Sequence, residues 1–135
     1  MARFIYHLAL VDDWEQAVER NETYYPPTYE ADGFTHGTAE KSRLLEVANH
    51  FYQDSPGDWL CLRMTEDSLA AAGVAVVFEP AASVGDKDGA FDGSDEVLFP
   101  HLMGGIPPES VVSTHAVTRD EKGRFQDIDF CVEII

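Results

Sequence analysis

The chain is poor in positive charge. Nine Lys and Arg stand against 25 Asp and Glu in 135 residues, a formal net charge of −16. Such a surplus repels a phosphate backbone at long range, and no basic stripe with interleaved aromatics offsets it. Nucleic acid is therefore not an expected partner. The acidity itself reads as a device for solubility. Long hydrophobic runs are missing too. No stretch reaches about 18 apolar residues, so no membrane span is expected. The opening Met1-Ala2-Arg3-Phe4 lacks a secretory apolar region and a small-residue cleavage site, and the expected location is cytoplasmic. Cysteine is scarce. Cys61 and Cys131 could form one disulfide, but two isolated cysteines are more often reduced residues in strands. No pair of C-x-x-C elements offers structural zinc. There is no phosphate-cradling glycine loop ending in Lys-Ser or Lys-Thr, and no G-x-S-x-G elbow.

What is present suffices for one core. The hydrophobic fraction is 44%, and neither an internal repeat nor a linker divides the chain, so residues 1–135 are expected as one domain. Phe4 to Leu8 reads as a strand. Asp12 or Asp13 is placed to cap a short helix with Trp14, Ala17 and Val18 on one face. Two prolines keep Thr23 to Tyr29 out of regular helix and predict an extended aromatic loop, ended by Gly33. Phe34-Thr35-His36 is a brief strand. Leu44, Leu45, Val47, Ala48, Phe51 and Tyr52 recur at helical spacing and predict the dominant helix, from about Ala39 to Gln53, with Thr38 as its N-cap. Glu46, Asn49, His50 and Gln53 fall on its other face.

Trp59 to Met64 reads as a strand, followed by a short helix capped by Thr65 and ended by Gly73. Val74 to Phe78 is a further strand. Glu79 to Glu96 is glycine-rich and acidic, an exposed loop or irregular hairpin. Asp86, Asp88, Asp92 and Asp95 do not match the helix–loop–helix calcium spacing. Val97 to Leu102 enters the third histidine motif, Ser110 to Val117 makes another strand, and Phe125 to Ile135 is a last extended segment. Helices and strands do not alternate regularly. The expected fold is α+β, a compact single domain with one dominant helix against a split, mixed or largely antiparallel β-sheet.

Three histidines carry the functional signal. His7, His36 and His101 each sit in or beside a short apolar run punctuated by glycine or proline. Imidazole is costly to bury without a partner and titrates near neutral pH, so three such residues point to a polar site inside an apolar fold. They are the candidate catalytic residues. His50 and His115 lack these settings and read as structural or solvated.

Ile5-Tyr6-His7-Leu8-Ala9, Trp14 with Ala17, Tyr25-Pro26-Pro27-Thr28, Gly33 to Thr38, Val47 to Tyr52 and Leu98 to Gly104 follow one another in an order that resembles the bacterial DUF952 family. The resemblance covers residues 4–117; the acidic insertion at 79–96 and the tail at 118–135 lie outside its clear part. The family commonly has isoleucine in place of Thr35, Cys-Ser in place of Gly37-Thr38, and tyrosine in place of Met103. The resemblance implies an ADP-ribosyltransferase-like fold of a histidine-rich branch, near the RNA 2′-phosphotransferases, with a cleft for NAD. It implies that His7 bonds the nicotinamide-side ribose and that His36 lies beside the nicotinamide. His101 would stand where other transferases carry glutamate, with Glu96 a weaker candidate for that place. Tyr25 and Thr38 join His7 and His36 as implied NAD contacts. The implied activity is that of an NAD-dependent transferase.

Cleaving a nicotinamide–ribose bond builds positive charge on the ribose. A carboxylate stabilises that charge directly, whereas a neutral histidine bonds a hydroxyl or acts as a general base. Two other readings compete. Three imidazoles with an open position would suit zinc if they converged within about 2.1 Å of one ion. Alternatively, the histidines only order loops in a small binding or interaction module. The sequence does not name the oligomeric state.

Overall fold

The computed structural model describes residues 4–39, 41–79 and 98–129. Strand β1 (Phe4–Leu10) is buried continuously over residues 5–9 because both of its faces are covered. Ile5 and Ala9 pack with Trp14, Tyr24, Leu62, Leu69 and Leu102. Tyr6 and Leu8 pack instead with Leu44, Ala48, Trp59 and Phe125. This period of two assigns alternate residues of one strand to two separate apolar layers.

Two antiparallel sheets result. One has the order β1-β3-β6-β7, with β3 (Trp59–Thr65), β6 (Val111–Arg119) and β7 (Phe125–Ile128). The other has the order β2-β5-β4, with β2 (Thr35–His36), β5 (Phe99–Met103) and β4 (Ala75–Glu79). Among the described residues every strand pair is antiparallel, so the sheet is split as expected but not mixed. The chain crosses between the sheets at residues 37–38. Gly37 N–H donates to the Pro100 carbonyl at 2.9 Å, and Tyr6 and Thr38 then exchange two backbone hydrogen bonds of 2.8 Å. A Cβ on Gly37 would lie 3.1 Å from the Ile5 and Leu102 side chains and from the Pro100 oxygen, so a larger residue at the seam has to press its neighbours aside by a few tenths of an ångström.

The helices differ from expectation in informative ways. Helix α1 (Val11–Glu19) begins after Leu10 without a side-chain cap. Asp12 and Asp13 instead occupy its first turn, where negative charge meets the positive end of the helix dipole. Trp14 and Ala17 are buried, but Val18 is 48% exposed, at the margin of the apolar stripe. A short helix, α2 (Tyr29–Asp32), forms where the extended loop was expected to continue. Gly33 ends it with φ +82°, the left-handed conformation glycine adopts readily. Helix α3 (Leu44–Phe51) buries Leu44, Val47, Ala48 and Phe51 as its spacing predicts. It is shorter than the expected 39–53 and no longer than α1, so no helix dominates. Thr38 does not cap it, because its backbone is already committed to Tyr6, and a 3-10 turn (Lys41–Arg43) leads in. Thr65 does cap α4 (Glu66–Ala71), through a reciprocal capping box with Ser68.

Asn49, expected on the solvent face of α3, is fixed to β7. Its amide donates to the Phe125 carbonyl at 3.0 Å and accepts from Phe125 N–H at 2.7 Å. Cys61 is a buried free thiol, and burial pushes its pKa up to about 12, which leaves it without thiolate reactivity at neutral pH. Cys131, Glu96, the four loop aspartates and the end of the tail lie outside the described residues. Among those described, no helix is long and apolar enough to cross a membrane.

Candidate functional site

The seam between the sheets gathers the three histidines. β1 places His7 immediately after Tyr6, the residue that pairs with Thr38 across the seam. The His7 Nδ1–H donates to the His36 carbonyl at 2.6 Å. A carbonyl only accepts, so the proton sits on Nδ1 and the Nε2 lone pair is left. That Nε2 is buried and has no protein partner. The ring is 3% exposed, and burial pushes its pKa down to about 4 against the opposing pull of the carbonyl bond. His7 is therefore a neutral imidazole at neutral pH.

His36 and His101 stand opposite each other in the β2–β5 register, with rings 5.8 Å apart and nearly perpendicular. His36 Nε2 meets Asp32 Oδ2 at 2.8 Å, a contact set by the short α2 helix. Burial lowers the His36 pKa; the Asp32 hydrogen bond and charge oppose the shift, and the His101 ring adds to it. His101 Nδ1 lies 2.8 Å from Glu79 Oε1, and its ring stacks on Phe34 with centroids 4.1 Å apart. The ring is 3% exposed, and its Nε2, like that of His7, is buried without a protein partner.

All three histidines line one cavity. Thr38 contributes from the crossing, Phe99 from β5, and Val47, Phe51 and Tyr52 from α3 and its end. The cavity volume is about 30 Å³, within about 440 Å³ of atom-free space that includes open solvent. The enclosed part has room for roughly one or two waters. Burial raises the Tyr52 phenol well above the ordinary tyrosine range, with the Asp32 charge adding to the effect, so the hydroxyl stays protonated. The wall is thus largely aromatic and apolar, with the imidazoles of His7, His36 and His101 and the Thr38 hydroxyl as its polar features.

Tyr25 lies elsewhere. It is 55% exposed and meets Tyr29 edge-on, outside the cavity wall. Its buried neighbour Tyr24 stands 5.8 Å from the His7 ring and pairs through its backbone with Ile106. In an extended segment adjacent side chains face opposite ways, and the sequence does not say which of two tyrosines turns inward. His115 is fully buried, bonding Ser113 Oγ at 2.8 Å and the Asp129 carbonyl at 3.1 Å, and His50 packs against Phe51; neither lines the cavity. Met103 is half exposed and also lies outside the wall. Glu79 was missed as a site residue, because its place beside His101 follows only from the β4–β5 pairing. Among the described residues no group of three His, Cys, Asp or Glu side chains is arranged to hold a metal ion, so the three-histidine zinc geometry does not form. Each ring already spends one nitrogen on a protein contact, and these contacts set the ring directions.

Residues 9–114 match the sequence model of DUF952, a family described as proteins of unknown function. The chain belongs to the DUF952 family. The fold of this DUF952 protein is similar to the crystal structure of protein CC0527 from Caulobacter crescentus. The TM-score is 0.67 at 18% identity, covering 91% of this chain and 93% of that one. A double mutant of CC0527 gives 0.62 at the same identity and coverage. The structure named EcPltA gives 0.55 at 17% identity, covering 93% of this chain and 82% of that one. At such identities the likeness shows the fold alone. No curated protein matches this chain.

Proposed function

We propose that the seam cavity of this DUF952 protein binds the nicotinamide–ribose end of NAD or of a related nucleotide such as ADP-ribose. The observation that carries the reading is the pair of buried, unpartnered nitrogens, His7 Nε2 and His101 Nε2, on residues that line one aromatic-walled cavity. A buried polar atom without a partner is costly, and a ligand that donates to both removes that cost. Ribose hydroxyls are such donors, and Phe51, Tyr52 and Phe99 offer apolar surface to a flat base. Thr38 and His36 complete the wall. On this reading the chemistry is NAD-dependent transfer of an ADP-ribosyl group.

A second reading is supported by the small cavity volume and by the His7–His36 hydrogen bond across the seam. Here the histidines only close the seam, and the protein is a binding or interaction module without nucleotide chemistry. A thermal-shift screen against NAD, ADP-ribose and zinc separates the two, because a ligand at 100 times its Kd stabilises the native state by about 2.7 kcal/mol. The nucleotide reading expects a rise in Tm with NAD or ADP-ribose, reduced in His101→Ala. No shift with either at millimolar concentration leaves the seam-closing reading.

A further inference from the structure

We infer that Glu79 and His101 form a carboxylate–imidazole pair in which Glu79 is a positioning residue and His101 Nε2 is a general base toward a hydroxyl in the cavity. The inference rests on the reading of the cavity as a nucleotide site and adds to it the group that moves a proton. The pair is a product of strand register. Val77 stands opposite His101 and Glu79 opposite Phe99, so Glu79 and His101 project from one face of adjacent strands, on a diagonal. The 2.8 Å contact joins Nδ1 to a carboxylate oxygen. A carboxylate oxygen accepts, so the contact selects the tautomer with its proton on Nδ1, the one whose lone pair lies at Nε2. The ring cannot turn freely, because Phe34 stacks on it and His36 meets it edge-on.

A purely structural histidine in this place would be expected to use both nitrogens, as His115 does with Ser113 and Asp129. His101 uses one. The other is buried, unpartnered and on a cavity-lining residue. Glu79, half exposed at the end of β4, is placed to stabilise the imidazolium that forms when Nε2 takes a proton. Neither His36, which is engaged by Asp32, nor His7, whose ring is held neutral by deep burial, has a carboxylate behind a buried Nε2 lone pair. An acceptor O–H, water or an alcohol, gives its proton to His101 Nε2. Its oxygen bonds to the ribose C1′, and the bond from C1′ to the nicotinamide nitrogen breaks with its electron pair going to neutral nicotinamide. The proton then passes from His101 to solvent.

The test combines a spectroscopic and a kinetic readout. In nitrogen-15 imidazole spectra the neutral tautomer of His101 in the parent is expected to carry its proton on Nδ1. Glu79→Ala should shift the population toward the Nε2–H form, while Glu79→Gln, whose amide oxygen still accepts, should restore Nδ1–H. Nicotinamide release from NAD should fall on the order of tenfold or more in Glu79→Ala with KM within about twofold, and further in His101→Gln. An Nε2–H ring in the parent overturns the pair, and so does release that Glu79→Ala leaves unchanged. A parent that binds NAD but releases no nicotinamide overturns the base role and leaves the binding reading standing. A parent that binds no nucleotide overturns the binding reading, and the base role falls with it.

Discussion

At the scale of single residues, the site is defined by which nitrogen of each imidazole is occupied. His7 gives Nδ1–H to the His36 carbonyl, His36 uses Nε2 on Asp32, and His101 uses Nδ1 on Glu79. The deep burial of His7 also has a thermodynamic consequence. Its folded pKa is about 4 against an ordinary 6.5, so as pH falls the unfolded chain takes up this proton first. The stability that comes from keeping the ring neutral is full above about pH 6.5 and is lost as pH falls through about 4. The total is about 3 kcal/mol. His36 is shifted in the same direction and adds to the slope. Urea unfolding at stepped pH should show the parent losing about 3 kcal/mol more than His7→Gln between neutral pH and pH 4. Equal losses in the two proteins would contradict the buried neutral ring. The three site histidines were legible in the sequence because each sits at a junction between apolar and turn-forming residues. Glu79 and Tyr24 were not, since the first depends on strand register and the second on which of two neighbours turns inward.

At the scale of elements, hydrophobic period found the strands and the buried face of α3, and turn chemistry found Gly33 and the Thr65 cap. It did not find the extent of α3. A residue whose backbone joins another strand cannot also cap a helix, and the Thr38–Tyr6 pairing is a contact at long sequence separation. The same limit hid the role of Asn49, which looks solvent-facing on a helical wheel yet closes both backbone groups of Phe125. Phe51 connects the core to the site. It is 7% exposed, packs with Val47 and Phe99, and lines the cavity. Phe51→Ala should therefore destabilise the protein by about 3–5 kcal/mol, read as a lower midpoint of chemical denaturation. A loss under about 1 kcal/mol would mean that α3 packs against the sheet through another face.

At the scale of the whole molecule, two sheets meet along a single seam, and the functional candidates are where they part. The order of short motifs identified the DUF952 family, and the α+β class with a split sheet was legible from the same pattern. The antiparallel pairing throughout the described strands was only partly legible, because partner choice depends on where the connections run in space. The net charge of −16 bears on the ligand as well as on solubility. A pyrophosphate approaching this surface is repelled over distances comparable to the Debye length, about 10 Å at 0.1 M salt, so nucleotide affinity should increase as salt screens the field.

Calorimetric titration of the parent, His7→Ala, His101→Ala and His50→Ala with NAD and with ADP-ribose, each variant first checked for folding by circular dichroism, tests the seam cavity as a nucleotide site most directly. The account expects saturable binding by the parent that tightens with added salt. Losing one cavity-lining imidazole should weaken it at least about fivefold in His7→Ala and His101→Ala, as befits a hydrogen bond of about 1 kcal/mol or more whose partner is left unpaired. His50→Ala should bind as the parent does. Binding that the His7 and His101 substitutions leave unchanged would place the ligand elsewhere, and no heat from the parent at millimolar nucleotide would contradict the account.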